Sequence, residues 1–344
     1  MSRQLHIVFE QPERRFEPGD EIKGQVVVVV EKDNRCKGLK VTQQWQTHGK
    51  GNTTRGVPTE QVLFEGEWTP GKYHYPFVFT APLWPFTYHG DYLNVDWYIK
   101  ATADVPWAFD PSSEEEFLLR WPENGVPEGQ VNRALVIASF GREVIQSNRG
   151  SLLGLFAGGI ALFGTVFLVI GLVTGIFEFF FFTGITYLFA MVLVFAMIKI
   201  KMASSKVGDV ELSLDPSPAY PGASVVARMA FTPQSDAQIN AITATIKGQE
   251  VVVRGSGTNR TTYRNTVHEE TISLHPGGLV PRGEPIDVTG VFAIGEGAPL
   301  SFEASDNELS WDITYHIDIA RWPDWRESKS FVINPPPEKQ SKGW

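Results

Sequence analysis

The residue types that most often carry chemistry form no complete catalytic motif in this sequence. The segment His268-Glu269-Glu270 is similar to part of a zinc-binding His-Glu-x-x-His helix, but position 272 is Ile, so the second imidazole is missing. Gly255-Ser256-Gly257 lacks the Gly-x-Ser-x-Gly spacing of a nucleophile elbow and is typical of a hairpin loop. We therefore expect neither a zincin site nor a serine nucleophile.

The histidines are scattered along the chain, and no pair has metal-ligand spacing with a third donor nearby in the sequence. His74 alternates with Tyr75 in a strand-like segment, so we expect His74 to face solvent. The sequence thus predicts no metal site and no cofactor site. The seven histidines are His6, His48, His74, His89, His268, His275 and His316.

The single cysteine, Cys36, lies in a polar segment that we expect to be a turn. The neighbouring Arg35 and Lys37 would lower the pKa of its thiol. A catalytic role would also require a positioned base, which the sequence does not indicate, so we interpret Cys36 as an incidental thiol. One cysteine also excludes an intrachain disulfide framework. We predict that the protein is not an enzyme.

A long apolar segment divides the chain. Residues 152–198 contain one charged residue, Glu178, and are roughly twice as long as the ~20 apolar residues that cross a bilayer. We predict a transmembrane hairpin over 151–198, with spans at about 152–176 and 180–198. Because a charge is costly at mid-bilayer, Glu178 is expected in the far headgroup region.

The charges that flank the hairpin predict its orientation. Arg142 and Arg149 precede the first span, and Lys199, Lys201 and Lys206 follow the second. The turn carries no Lys or Arg, so by the positive-inside rule both ends face the cytoplasm. We therefore predict an integral membrane protein with two spans and both soluble domains in the cytoplasm.

Small residues four positions apart recur in the hairpin and would let helices approach closely. We expect them to pack the two spans on each other, in preference to forming a homo-oligomer. The glycines concerned are Gly154, Gly158, Gly171 and Gly175.

The segments on either side of the hairpin have the pattern of β-sandwiches. Residues 38–47 alternate Leu39, Val41 and Trp45 with polar residues, and Gly/Pro turn signals separate many similar segments. We predict a mainly β protein with two immunoglobulin-like sandwiches plus the helical hairpin. The predicted parts are a first sandwich at 1–122, a linker at 123–150, the hairpin at 151–198, a second sandwich at 199–334 and a polar tail at 335–344.

The predicted strands recur at short intervals in both halves. Those of the first half are 5–10, 21–31, 38–47, 61–68, 73–80, 92–105 and 115–120. Those of the second half are 210–214, 224–231, 239–247, 249–254, 267–273, 286–293 and 309–320.

The two halves resemble one structural unit used twice. Pro18-Gly19-Asp20 before a Val-rich strand is similar to Pro221-Gly222-Ala223 before another, and Val95-Asp96-Trp97 is similar to Trp311-Asp312-Ile313. Several tryptophans lie on or after the late strands, and we interpret them as core residues and membrane-proximal anchors in preference to an aromatic binding patch. These are Trp97, Trp107, Trp311, Trp322 and Trp325.

The first half resembles the arrestin N-terminal domain over about residues 5–120. The resemblance rests on Phe16-Glu17-Pro18-Gly19-Asp20, on Lys37-Gly38-Leu39-Lys40-Val41, and on Pro70-Gly71 before Tyr75-Pro76-Phe77-Val78-Phe79. The second half is similar to a diverged arrestin C-domain. The resemblance implies paired sandwiches and a non-catalytic adaptor or scaffold that acts at membranes through protein partners. A hairpin between the domains departs from the soluble family pattern, and no Pro-Pro-x-Tyr motif is present.

The sequence therefore predicts a membrane-anchored adaptor that binds the lipid bilayer and protein partners. A net charge of −9 argues against a nucleic-acid partner. Two alternatives stay open: an accessory subunit of a membrane enzyme complex, and an extracytoplasmic binding module with inverted topology. In the cytoplasm, the sequons Asn52-Thr53-Thr54 and Asn259-Arg260-Thr261 would not meet the glycosylation machinery.

Overall fold

The fold is that of a computed structural model, which describes residues 4–106, 110–126 and 149–338. Most of the predicted linker, Trp107 and Arg142 lie outside the described residues.

In the described residues before the hairpin, the chain forms two antiparallel-rich sheets that pack face to face. One sheet has the order β1-β3-β6, and the larger has the order β2-β9-β8-β4-β5, with β7 also paired to β8. The bounds are β1 (Gln4–Phe9), β2 (Arg15–Phe16), β3 (Glu21–Val30), β4 (Asn34–Gly49), β5 (Thr59–Trp68), β6 (Gly71–Thr80), β7 (Tyr88–His89), β8 (Leu93–Asp104) and β9 (Ser112–Leu119).

Period-two alternation explains which face of each strand is buried. In β8, Leu93, Val95, Trp97 and Ile99 are buried in the sandwich core, while Lys100 on the other face is exposed. Burial of such faces against the opposing sheet supplies the main driving force for folding. The predicted β-sandwich is confirmed.

The second half repeats this topology. One sheet has the order β10-β11-β15, and the larger has the order β13-β12-β17-β16, with β14 paired to β12 and β18 paired to β17. The bounds are β10 (Val210–Asp215), β11 (Ser224–Phe231), β12 (Ala237–Arg254), β13 (Thr261–His275), β14 (Gly278–Val280), β15 (Ile286–Ala293), β16 (Phe302–Ala304), β17 (Asn307–Ile319) and β18 (Trp325–Phe331).

Two predicted strands, 239–247 and 249–254, form a single strand, β12. Gly248 lies between the two predicted ranges, and the strand continues through it because Gly248 pairs with Trp311 of β17 and the indole lies directly over it. A Cβ at Gly248 would be 2.9 Å from the nearest atom of that ring. The glycine therefore makes room for a core tryptophan without ending the strand.

The buried tryptophans Trp97 and Trp311 mark the same position in the two halves. Trp97 Nε1 donates to the Pro85 carbonyl at 2.7 Å and Trp311 Nε1 donates to the Pro299 carbonyl at 3.1 Å, in each case 12 residues earlier in the chain. The repeat is thus confirmed at the level of topology. The expected alignment of Val95 with Trp311 is wrong by two residues, because the indole hydrogen bonds and the strand registers make Trp311 the equivalent of Trp97.

Two helices form the hairpin: α1 (Arg149–Thr174) and α2 (Phe177–Val207). Both are long and apolar enough to cross a membrane, and only 17% and 11% of their most apolar windows are buried. Gly175, with φ of 68°, makes the turn between them, and Glu178 lies in the first turn of α2. The core helix of a soluble protein would instead be mostly buried.

The helices pack on each other through small residues and aromatic rings. A Cβ at Gly171 would lie 3.2 Å from the Phe179 Cβ, so this glycine faces α2, whereas a Cβ at Gly158 would meet open space. Phe167 stacks on Phe182 at 5.8 Å between ring centroids. Gly171 therefore serves packing within the hairpin, and Gly158 lies on an unoccupied face.

Candidate functional site

The two motif-like segments, 255–257 and 268–270, both lie in the β12–β13 hairpin of the second sandwich. His268-Glu269-Glu270 lies within β13, so the segment is a strand and not the helix that a zincin requires. Gly255-Ser256-Gly257 lies in the loop between β12 and β13, as expected of a hairpin loop.

Cys36 differs from its expected environment. It lies within β4 and is only 1% exposed, packed in the core of the first sandwich. Burial raises the pKa of the thiol, which overturns the expectation that Arg35 and Lys37 would lower it. A buried thiol with a raised pKa is a poor nucleophile, so this residue contributes to packing.

The histidines separate into isolated residues and one cluster. His74 is exposed, as predicted, and its Nδ1 lies 3.0 Å from Gln25 Oε1. His48 and His89, far apart in the sequence, both contact the buried carboxylate of Asp96. Sequence spacing did not reveal this pair, because the two residues belong to different strands that meet only through β8.

The first candidate site is the interdomain junction, where loops of the first sandwich meet strands of the second. Its centre is Glu250 of β12, a fully buried carboxylate. Tyr88 Oη donates to Glu250 Oε1 at 3.1 Å, the Tyr92 amide donates to Oε2 at 3.1 Å, and Asn265 Nδ2 donates to Oε2 at 2.8 Å. Since a buried charge is costly without partners, the bonds from Tyr88 and Tyr92 of the first sandwich stabilise the contact between the halves, whereas Asn265 is a donor from the same sandwich as Glu250.

Tyr88 and Gly90 show how closely the two halves approach at this point. Burial, followed by the charge of Glu250, raises the pKa of Tyr88, so its hydroxyl stays protonated as a donor. A Cβ at Gly90 would overlap Glu250 Oε1. Only glycine at this position lets the β7–β8 turn reach the carboxylate.

A second part of the junction is formed by the loop that follows β4. Asn52 Nδ2 donates to the Gly255 carbonyl at 2.9 Å and Asn52 Oδ1 accepts from the Gly255 amide at 3.0 Å. Asn307 Nδ2 donates to the Asn52 carbonyl at 2.7 Å, and Thr54 Oγ1 donates to the Ser305 carbonyl. The Asn52 side chain is therefore fully engaged between the domains and unsuited to carry a glycan.

Apolar contacts extend the junction beside these hydrogen bonds. Phe302 of β16 lies edge-on to Trp45 at 5.8 Å and near Trp84 at 6.4 Å between ring centroids. A cavity of about 250 Å³ lies between the halves and is lined by residues of both, including Trp84, Trp121 and Leu300. The junction therefore combines a polar centre with an aromatic margin.

The second candidate site is the helix dock, where the last turns of α2 pack on the second sandwich. Ala203 and Val207 are buried there. Trp322 Nε1 donates to the Met202 carbonyl at 2.9 Å, and Lys206 Nζ lies 4.6 Å from the centre of the Trp322 ring. The predicted span end at 198 is thus not the end of the helix, because residues 199–207 continue it onto the sandwich.

Of the five tryptophans singled out in the sequence, three have the predicted core role, and Trp107 lies outside the described residues. Trp97, Trp311 and Trp325 are buried in the sandwiches, and Trp322 packs against α2. The aromatic binding patch is not formed by these residues.

Comparison with known proteins agrees with the fold. The family described as arrestin (or S-antigen), N-terminal domain, matches residues 57–120, which contain β5 to β9. The resemblance to the arrestin-like family is thereby confirmed over this stretch. The chain is therefore a β-sandwich protein that carries a helical hairpin and whose residues 57–120 are similar to the arrestin N-terminal domain.

One solved structure similar to this chain is Spo0M, a sporulation control protein from Bacillus subtilis. The match has 13% sequence identity and a TM-score of 0.30, and covers 37% of this chain and 49% of Spo0M. The chain thus spans about half the length of that relative. A search of curated protein sequences gives no match.

Proposed function

We propose that this protein is a membrane-anchored, arrestin-like adaptor whose sandwiches bind protein partners at the cytoplasmic face of a membrane. The observation that carries the proposal is the continuity of α2 with the second sandwich. This helix has 31 residues, so it is about 46 Å long, whereas the hydrocarbon core is about 30 Å thick. The part of α2 that extends beyond the hydrocarbon core packs in the helix dock.

The short turn between the helices supports a common side for both sandwiches. Gly175 and Ile176 alone separate α1 from α2, so two spanning helices must return to the side from which they start. Arg149, Lys199 and Lys206 lie near those ends, and Glu178 lies near the turn. The positive-inside rule then favours the cytoplasm for both sandwiches.

The helix dock and the interdomain junction together support a fixed scaffold. The dock joins the second sandwich to the hairpin, and the junction joins the first sandwich to the second. A partner that binds either sandwich would therefore be held near the membrane at high local concentration.

The surface best suited to a protein partner is the edge strand β13. It has 15 residues and lies at the end of the larger sheet of the second sandwich, where β12 is its sheet partner among the described strands. An edge strand presents backbone donors and acceptors that a peptide strand can pair with. Most side chains of its first half, such as Thr262 and Thr266, are exposed.

Cross-linking in native membranes tests the adaptor role. A photoreactive residue at Thr262 of β13 is expected to give a reproducible protein adduct, and the same residue at Val226 of the central strand β11 is the matched control. Lysine at Thr266 and Thr271 should abolish the adduct, because edge lysines oppose strand addition. No adduct at Thr262, or equal adducts at both positions, would contradict binding at this edge.

The sequon at Asn259 gives a built-in topology test, because Asn259 is exposed in the loop after β12 while Asn52 is engaged in the junction. Translation in the presence of microsomes is expected to leave Asn259 unglycosylated. A mobility shift that disappears in Asn259→Gln would place the second sandwich on the lumenal side and overturn the cytoplasmic orientation.

A further inference from the structure

The outward face of the larger sheet of the first sandwich carries four side chains with metal-ligating atoms. In β8, Asn94, Asp96 and Tyr98 point away from the core. His48 on β4 and His89 on β7 both pair with Asn94, and Glu116 on β9 pairs with Tyr98. Directly paired residues point to the same face, so these side chains converge on Asp96 from both sides.

Donor atoms of these side chains lie close together. We call the group the histidine–carboxylate cluster, and its members are His48, His89, Asp96 and Glu116. His89 Nε2 lies 2.6 Å from Asp96 Oδ1, and His48 Nε2 contacts Asp96 Oδ2. Ligand atoms of His89, Asp96 and Glu116 all lie within 4.8 Å of one another. Two imidazoles and two carboxylates are a ligand set that suits a zinc-like divalent ion.

The burial of Asp96 distinguishes this cluster from scattered surface charges. Its side chain is 1% exposed although it lies on the outward face of the sheet, while those of His48 and His89 are 47% and 56% exposed. The imidazoles therefore cover the carboxylate and leave the cluster open to solvent from outside. An ion can reach this position without unfolding the sandwich.

Glu116 gives a further reason to place a cation in the cluster. A carboxylate oxygen of Glu116 and one of Asp96 lie within 4.8 Å of each other, so the cluster brings two carboxylates together. The ion pairs formed by Asp96 within the described residues are with the two imidazoles. A divalent ion between the four side chains would neutralise the repulsion of the two carboxylates.

We propose that His48, His89, Asp96 and Glu116 bind one divalent transition-metal ion, best matched by zinc, in a structural site. His89, Asp96 and Glu116 would supply three ligands whose donor atoms already lie together, and His48, which contacts Asp96, would complete the four that are typical of structural zinc. This site lies in the first sandwich and does not depend on the membrane proposal.

The position of the cluster connects it to the interdomain junction. His48 lies just before the loop of Asn52 and Thr54, whose hydrogen bonds reach Val253 of β12 and Asn307 of β17. His89 lies just before the turn that donates to Glu250. A metal ion would join the starting points of these two loops. It is therefore expected to stabilise the junction as well as the first sandwich.

Metal binding by the full-length protein in detergent tests the site. After chelator treatment and dialysis, zinc titration against a chromophoric competitor is expected to show one tightly bound ion per chain. His48→Gln and His89→Gln should each weaken binding at least about 10-fold, since even supporting partners of metal ligands contribute 10- to 100-fold. Both side chains are half exposed, so these variants keep the core intact.

The matched control is His316→Gln in the second sandwich. His316 Nε2 lies 3.0 Å from Asp324 Oδ2, so it forms a similar His–Asp contact without a second imidazole. This variant should bind zinc like the wild type. Absence of tight zinc binding, or equal binding by wild type and His48→Gln, would overturn the metal site and leave a hydrogen-bonded ion pair.

Hydrogen exchange tests the connection to the junction. At zinc concentrations about 100 times the Kd, exchange of amides in residues 49–54 and 90–93 should slow by up to about 100-fold in the wild type. The double variant His48→Gln/His89→Gln should show no change. Zinc binding with unchanged exchange in both segments would overturn the proposed stabilisation of the junction.

Discussion

The two sandwiches share one topology but present different side chains at equivalent positions. With Trp97 and Trp311 as the reference pair, the strand registers relate four positions of the first half to four of the second. His48, His89, Asp96 and Glu116 correspond to Val251, Glu303, Ser310 and Ser330. The second set offers one carboxylate and no imidazole, so the ligand set belongs to the first half alone.

The halves also differ in their contacts with the hairpin. Ala203 and Val207 of α2 pack on the second sandwich, next to Trp322. The comparison indicates that the common core determines the topology, while the side chains at surface positions determine what each sandwich contacts. We assign metal binding to the first sandwich and attachment to the hairpin to the second.

The largest loss of stability is expected when either of the two equivalent tryptophans is replaced. Trp97→Ala and Trp311→Ala should each lower the free energy of unfolding by about 3–5 kcal/mol, because each removes a buried aromatic side chain. Urea unfolding followed by limited proteolysis reports which half opens first. Trp97→Phe and Trp311→Phe keep most of the packing and should lower the free energy of unfolding less. A large loss of stability from the alanine variant of only one of the two tryptophans would contradict equivalent roles.

An intermediate loss of stability is expected from substitutions in the interdomain junction. Glu250→Ala should cost about 1–3 kcal/mol, because the Tyr88 hydroxyl and the Tyr92 amide would lose their buried acceptor. Hydrogen exchange of residues 90–93 should rise while exchange in β3 stays unchanged. Gly90→Ala, which clashes with the same carboxylate, should reproduce the pattern; an effect spread over both cores would contradict a local junction.

A smaller, pH-dependent effect is expected in the second sandwich. Burial raises the pKa of Tyr315 to about 12, and its hydroxyl donates to the Ser213 carbonyl at 2.8 Å. Because the folded state holds this proton more tightly, the stabilisation is present below the unfolded pKa of about 10 and is lost as pH rises toward 12.

Tyr315→Phe tests this linkage through Tm measured between neutral and alkaline pH. The variant should lose about 0.5–1.5 kcal/mol at neutral pH with the hydrogen bond. It should also show a shallower decline of Tm above pH 10. A decline equal to that of the wild type would assign the alkaline loss to other groups.

Strand identity could be predicted from sequence because each sandwich buries one face of each strand. The strands β11 and β15 agree with their predicted bounds residue for residue. The sequence pattern divides β12 at Gly248, because the indole that covers this glycine comes from β17, more than sixty residues later in the sequence. The expected turn at Cys36 is wrong because its polar sequence neighbours do not indicate that its side chain points into the sandwich core.

The histidine–carboxylate cluster could not be predicted from sequence spacing, because its four residues lie on four strands. Their proximity depends on the registers of β4, β7 and β9 against β8, and one slipped residue would move a side chain to the opposite face. The dock of α2 was missed for a similar reason, since hydropathy marks where the apolar segment ends and not where the helix ends.

The most direct measurement of membrane anchoring is alkaline carbonate extraction of native membranes. With about twenty apolar residues in each span, the full chain is expected to stay in the membrane pellet and to enter solution only with detergent. Recovery of the protein as a monodisperse species in the aqueous fraction, without detergent, would contradict the membrane anchor and with it the adaptor function.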